Sequence, residues 1–362
     1  MKGGAGSLRS KGRWRRGFLP RRWLLLLTLL ISTACAQVGK VTVIVTDYET
    51  GEPLSGFTVI AGFVSHDGMS AGPDNKSDCV TKSDGHCTIW GHGNGRQATV
   101  AVMNSQKYYG ATDTIRFKGS LSPVASPWNP EVELRLKAIR NPIPMYAKNL
   151  NQKRFPEAVV PNGYDQEKRD WVPMPADHGT VGYDLQKGDW VYPFGEGVIS
   201  DFVFNIVREP RVNYISEHGR EHMASGATID IMVSNEGDGF LAYPVAEKDR
   251  HRGLRLPHEA PVEGYEASVT RFNIRPPNKR SETNIDEDMN YFIRVRTEMD
   301  ENGKIISALY GKVHGDFSVD GAGFGISFAY YLNPTPNDRN VEFKRKSSLI
   351  PNLKGTEDSL EP

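Results

Sequence analysis

The chain has 362 residues, with 44 lysines and arginines against 44 aspartates and glutamates, 36 glycines, 23 prolines and three cysteines. That balance shows no overall basic excess of the kind a nucleic-acid partner favours. Turn residues recur at short intervals and long 3.6-residue apolar periodicity is nearly missing, which points to a β-rich chain.

Residues 1–22 carry eight basic side chains and no acid, residues 23–33 are almost wholly apolar, and Ala34-Cys35-Ala36 follows. This is the order of an export signal, with cleavage expected after Ala36. The apolar run of 11 residues falls short of the roughly 20 that span a bilayer. Three alternatives stay open: an uncleaved anchor, lipidation of Cys35, and a twin-arginine signal at Arg15-Arg16 or Arg21-Arg22. Lipidation is the weaker reading of Cys35, because Ser32 stands where an aliphatic residue is needed. The expected location is the periplasm, the cell surface or the medium. No later segment is apolar enough for a transmembrane span, so the mature chain is expected to be soluble or peripherally attached. Loss of the signal leaves 36 basic residues against 44 acids, a net of about −8 with neutral histidines.

The mature 326 residues suit two domains. In the first, over 37–138, Val41, Val43 and Val45 alternate with Thr42, Ile44 and Thr46 as a strand does. Gly51 and Pro53 supply a turn, and Phe57, Val59 and Ala61 begin the next strand. Further strands are predicted over 87–90, 98–103, 108–117 and 132–136, giving a seven-stranded β-sandwich. Cys79 and Cys87 read as one local disulfide in an oxidising compartment. The alternative is a zinc site of Cys79, His86, Cys87 and His92.

Lys40-Val41-Thr42-Val43-Ile44-Val45-Thr46-Asp47, followed by Thr50-Gly51-Glu52-Pro53-Leu54, resembles the opening of carboxypeptidase regulatory-like domains, which are similar to transthyretin-like sandwiches. Thr81-Lys82-Ser83-Asp84-Gly85-His86-Cys87 resembles a second segment of that family, with Cys87 where an aromatic or aliphatic residue is usual. The resemblance covers under a third of the chain and implies an accessory module without catalytic residues.

A Pro-rich linker is expected over 139–146, because Pro142 and Pro144 lack a donor and restrict their neighbours. The second domain, over 147–343, carries strand signals at 198–207, 228–233, 240–243, 268–274, 291–297, 304–313 and 323–332. Asp300-Glu301-Asn302-Gly303 predicts a hairpin, and 147–155 fits one short helix. An all-β chain follows, the first sandwich leading into a larger antiparallel β-sandwich or open barrel. Residues 344–362 read as a disordered tail. The layout of the second domain, including Gly188-Asp189-Trp190-Val191 and Tyr192-Pro193-Phe194-Gly195-Glu196-Gly197, is similar to that of exported proteins from verrucomicrobial and related bacteria. That likeness implies no activity.

Candidate chemistry is sparse. His218, Glu221 and His222 fit a His-x-x-Glu-His zinc pattern, which needs a helix to bring both rings together. Gly219 inside it and strands on both sides favour a polar hairpin loop. Calcium is conceivable at Glu236 and Asp238 or at Asp286, Glu287 and Asp288, although neither group has the spacing of a defined calcium loop. No other cofactor is expected. Trp171, Trp190, Tyr192 and Phe194 cluster near the start of the second domain and offer rings for stacking on a ligand, a glycan above all, against the competing role of core filling. His178, His251, His258 and His314 stand alone and read as structural or exposed. The expectation is a non-enzymatic exported envelope protein for adhesion, assembly or ligand binding, with an envelope protein or polysaccharide as partner. The alternative is a carbohydrate-active enzyme or metallopeptidase with its site in the second domain.

Overall fold

The computed structural model describes residues 37–63, 76–93, 97–118, 124–161, 163–165, 167, 170–246 and 253–362. Among the described residues the chain forms strands and one short 3-10 turn, with no α-helix. The export signal with Cys35, and His251, lie outside them.

The first seven strands are β1 (Gln37–Asp47), β2 (Thr58–Phe63), β3 (Lys76–Val80), β4 (His86–Gly93), β5 (Gln97–Val102), β6 (Ala111–Arg116) and β7 (Glu131–Leu136). They form two sheets, ordered β4-β1-β7 and β3-β2-β5-β6. Alternation explains the packing. Val41, Val43 and Val45 of β1 face Val59 and Ala61 of β2 and Ala98 and Val100 of β5, all with no exposed surface, while the intervening Thr42 and Ile44 are only partly buried. Each valine so buried contributes about 1.5–3 kcal/mol. The disulfide forms between Cys79 of β3 and Cys87 of β4, so it clasps one sheet to the other. The expected turn is present: Asp47 Oδ1 accepts N–H from Glu49 and Thr50, each at 2.9 Å.

The rest of the chain adds β8 (Ile143–Arg154), β9 (Tyr164–Asp165), β10 (Asp170–Trp171), β11 (Asp177–Asp184), β12 (Asp189–Trp190), β13 (Phe202–Ile215), β14 (Glu221–Val233), β15 (Gly239–Ala242), β16 (Ser268–Arg275), β17 (Glu282–Thr283), β18 (Tyr291–Met299), β19 (Ile305–Val319), β20 (Gly325–Leu332) and β21 (Phe343–Ser348). Two six-stranded sheets result, β12-β11-β13-β14-β16-β17 and β15-β18-β19-β20-β8-β21, with β9 and β10 as a separate pair. They enclose a core rich in rings, including Tyr183, Trp190, Phe202, Phe204, Phe240, Phe317 and Phe328. Neither sheet closes, so this half is a sandwich and not a barrel.

Three sequence expectations are corrected here. Residues 147–154 belong to a strand, so the helix expected over 147–155 is not formed: Met145, Ala147 and Leu150 are buried and β8 pairs with β20. The linker is shorter than expected, because β8 already begins at Ile143 and takes in Pro144. The polar tail is ordered. Phe343, Ile350 and Leu360 are buried, β21 pairs parallel to β8, and Glu357 meets Lys148 at 2.9 Å. Its few apolar residues are too widely spaced to show a period, yet Ile350 and Leu360 find places in the core while Leu349 stays exposed.

The outer face of the β8-containing sheet is covered as well. Leu256, Ala260 and Val341 pack over Phe292, Ala308 and Tyr310. The two sandwiches also bond to each other there. Glu342, fully buried, accepts from the Tyr109 hydroxyl at 2.8 Å and from the backbone N–H of Arg140 and Asn141 at 3.0 and 2.6 Å. Lys137 Nζ donates to the carbonyls of Arg255 and Leu256.

Candidate functional site

The sequence candidates near Trp190 separate in the structure. Trp190 is 3 % exposed, packs against Tyr183, Phe155 and Phe204, and donates Nε1–H to the Arg154 carbonyl at 3.1 Å. Its ring belongs to the core and is not available to an external ligand. Trp171 lies on the short β10, paired with Tyr164. Tyr192 and Phe194 sit on the loop that follows β12, at 81 % and 39 % exposure, and Val198 and Ile199 of the same loop are 71 % and 46 % exposed. Four large apolar side chains thus face water from eight consecutive residues.

That loop is held from below by carboxylates. Asp184, at the end of β11, accepts N–H from Val198 and Ile199 on one oxygen, at 3.0 and 3.1 Å. Its other oxygen accepts from Gln186 and Lys187, at 2.9 and 3.0 Å, and from the Arg296 guanidinium at 3.0 Å. Asp189 accepts Glu196 N–H at 3.1 Å and an ammonium hydrogen of Lys153 at 3.1 Å. Main-chain bonds from Tyr192 to Gly197 and from Gly197 to Trp190 close the loop on itself. Gly195 and Gly197 are required there, since a Cβ would come within 2.5 Å of the Asp189 carboxylate at the first and 2.8 Å of the Trp190 carbonyl at the second.

Arg296 ties this end of the sandwich together. It lies on β18 at a bulge, with φ of +56°, a left-handed conformation that costs a non-glycine residue about 1–2 kcal/mol. In return its guanidinium reaches across to the other sheet. It donates to both oxygens of Asp201, at 2.8 and 2.9 Å, and to Asp184 and Gln186. Asp238 holds the bulge itself, accepting N–H from Arg296 and Thr297 at 3.0 and 2.8 Å. Burial pushes the Asp184 carboxyl up, but the N–H groups of Val198, Ile199 and Lys187 and the Arg296 charge outweigh it, and Asp184 sits below the usual carboxylate range.

The metal candidates are placed as follows. His218 is in the turn between β13 and β14, and His222 lies on β14, its ring stacked against Tyr214 across the hairpin at 5.7 Å. The pattern lies on a β-hairpin, so the helical geometry its zinc chemistry needs is not formed. Asp238 is committed to backbone N–H groups. Asp286 accepts Asp288 N–H at 2.9 Å, while Glu236 is exposed. Cys79 and Cys87 are spent in the disulfide. Among the described residues no three His, Cys, Asp or Glu side chains converge as a metal site, and no helix is long and apolar enough to cross a membrane.

Sequence reading missed Asp184, Asp201 and Arg296 of this supporting set and considered Asp238 only for calcium. The alternation of Asp and Gly around Trp190 carried a signal, since Asp before a tight turn caps the N–H groups that follow it. Arg296, in contrast, reads as an ordinary outward position of a strand.

No family model matches the chain, and neither does any curated protein. Among solved structures it is similar to a shaft pilin from Lactobacillus rhamnosus GG, at 13 % identity and a TM-score of 0.18, over 56 % of this chain and 90 % of that one. It is also similar to the major pilin subunit of Bacillus cereus, at 10 % identity and a TM-score of 0.20, over 87 % of this chain and 98 % of that one. TM-scores this low do not establish a shared fold or role.

Proposed function

We propose that the chain is exported to the cell envelope and works there, without catalysis, in adhesion or assembly, using the loop at 191–199 as its contact with a partner protein. The observation that carries this reading is the loop itself: Tyr192, Phe194, Val198 and Ile199 are exposed together on a backbone fixed by Asp184 and Asp189. A surface already ordered before contact loses little conformational entropy on binding, and aromatic anchors dominate the energetics of most interfaces. The carboxylates near the loop are engaged with backbone N–H groups and Arg296, which suits support rather than proton transfer. The first sandwich fits the accessory role that its resemblance to carboxypeptidase regulatory-like domains implies.

The test uses cells that display the full chain. The wild-type chain should make them adhere or self-associate, and Tyr192→Ala combined with Val198→Asp should cut that at least tenfold with an unchanged melting temperature. Unchanged adhesion in the double variant, or none with the wild-type chain, overturns the reading. Export is tested separately by fusing residues 1–36 to alkaline phosphatase, which is active only outside the cytoplasm.

A further inference from the structure

The loop at 191–199 has a counterpart on the sheet that it introduces. Toward the far end of β13 lies a groove of about 270 Å³, walled by Pro210 and Val212 of β13, Ile274 of β16 and the Pro276-Pro277 pair that follows it. Its origin is local. Pro210 has no N–H to give to a ladder, and the register of β13 on β14 slips between Glu209 and Val212, a bulge that breaks the regular strand surface. Gly226 stands opposite Glu209, and a Cβ there would come within 3.2 Å of Ile274. The polar groups of the lining are Glu209, Ser225 and Arg275. Ser225 is engaged, donating its hydroxyl to the Gly321 carbonyl at 2.6 Å, whereas Glu209 and Arg275 are exposed to water.

Size and charge narrow what fills it. The volume lies under the roughly 300–1,000 Å³ of small-molecule pockets and suits one or two protein side chains. Around the groove Arg275, Lys279 and Arg280 are exposed, against Glu209 and Glu282, so its rim is cationic. The loop offers the matching pieces: Tyr192, Phe194, Val198 and Ile199 face water, with the exposed Glu196 among them. It does not reach the groove of its own chain. Glu209 lies about 23 Å further along β13 than Phe202, at roughly 3.3 Å per residue. The loop ends just before Phe202 on a backbone fixed by Asp184 and Asp189.

We infer that the groove takes the loop at 191–199 of a second copy of this chain. The Tyr192 ring enters between Pro210, Val212 and Pro277, its hydroxyl donates to Glu209, and Glu196 faces Arg275. This rests on the function proposed for the loop and names its partner. Two different surfaces meet, so the association is head to tail and each pair keeps one loop and one groove free. A contact this small falls below the roughly 1,200 Å² of a stable interface. It is therefore weak between two molecules in solution and strengthened where many copies share a surface.

The test is sedimentation velocity on the full chain over a wide concentration series. The average sedimentation coefficient of the wild-type chain should climb with concentration. Tyr192→Ala and Val212→Asp, both changes of exposed residues, should each weaken association at least tenfold with unchanged melting temperatures. Mixed together, the two variants should form a dimer and nothing larger, because one supplies the groove and the other the loop. A wild-type chain that stays monomeric, association untouched by Val212→Asp, or no dimer from the mixture overturns the inference. The reading of the loop is judged apart, by adhesion of displaying cells. If Tyr192→Ala with Val198→Asp abolishes adhesion while Val212→Asp leaves it intact, the loop binds a different protein and only the inference falls.

Discussion

The first sandwich closes on small and β-branched side chains, Val41, Val43, Val59, Ala61, Ala98 and Val100, and adds a covalent clasp between its sheets. The second closes on rings and buries charge at its edges: Asp184, Asp201, Asp238, Asp316, Lys312 and Glu342 are each less than one-tenth exposed. A purely apolar core is a sufficient device for stability, because each methylene removed from water contributes about 0.8 kcal/mol. Buried ions are not, since replacing them by well-packed apolar groups is often neutral or stabilising. Charge retained in the second sandwich therefore points to shape: it fixes loops and bulges that apolar packing alone would leave free.

The comparison is sharpened most by removing Arg296. Arg296→Ala leaves Asp184 and Asp201 buried without their counter-ion, and urea denaturation should show a loss of about 3–5 kcal/mol. A loss below about 1 kcal/mol would mean that the carboxylates rely on backbone N–H groups alone. In the first sandwich, replacing Cys79 and Cys87 by serine opens a link across a sequence separation of 8. The chain-entropy relation gives about 2.5 kcal/mol for such a loop, measurable as a lower melting temperature that reducing agent no longer affects.

A smaller effect is a slope. Burial, reinforced by the like charge of Lys137, pulls the Lys312 ammonium down to about 7. Between that pH and the ordinary lysine value the unfolded chain holds a proton that the folded chain has released. Stability from this residue therefore rises with pH across the window, by about 1.4 kcal/mol per unit. Lys312→Met should remove that slope and raise stability at pH 7, as read from denaturation curves at pH 7, 8 and 9. The smallest expected change in stability is Tyr192→Ala, within about 0.5 kcal/mol because the ring is in water. Its effect should be confined to adhesion and self-association.

The strand content of both halves was legible because alternation is local. Each valine of β1 declares its face through its immediate neighbours, and the hairpin at 300–303 is marked by Asn302-Gly303. The pairing of the disulfide followed from two cysteines left as an even pair, whereas its span between two sheets did not. The loop at 191–199 was half legible: Tyr192 and Phe194 attracted notice as rings, but nothing local told an exposed Tyr192 from a buried Trp190. Lys312 and His314 were not legible at all. On β19 they occupy the outward positions of an alternating strand, and only tertiary packing over that face buries Lys312 completely.

The placement of β8 has a kinetic consequence. This strand opens the second sandwich, yet its partners β20 and β21 are the last strands of the chain, and Ser348 bonds Ala147 across 201 residues. Closing so long a loop is entropically costly and slow. The sheet cannot be completed until residue 348 has been synthesised, so β8 must wait with both edges unpaired while the first sandwich, built from contacts within residues 37–136, is free to fold. A chain of this design emerges from the ribosome with one half finished and the other held open, the condition in which an unpaired strand most needs a chaperone.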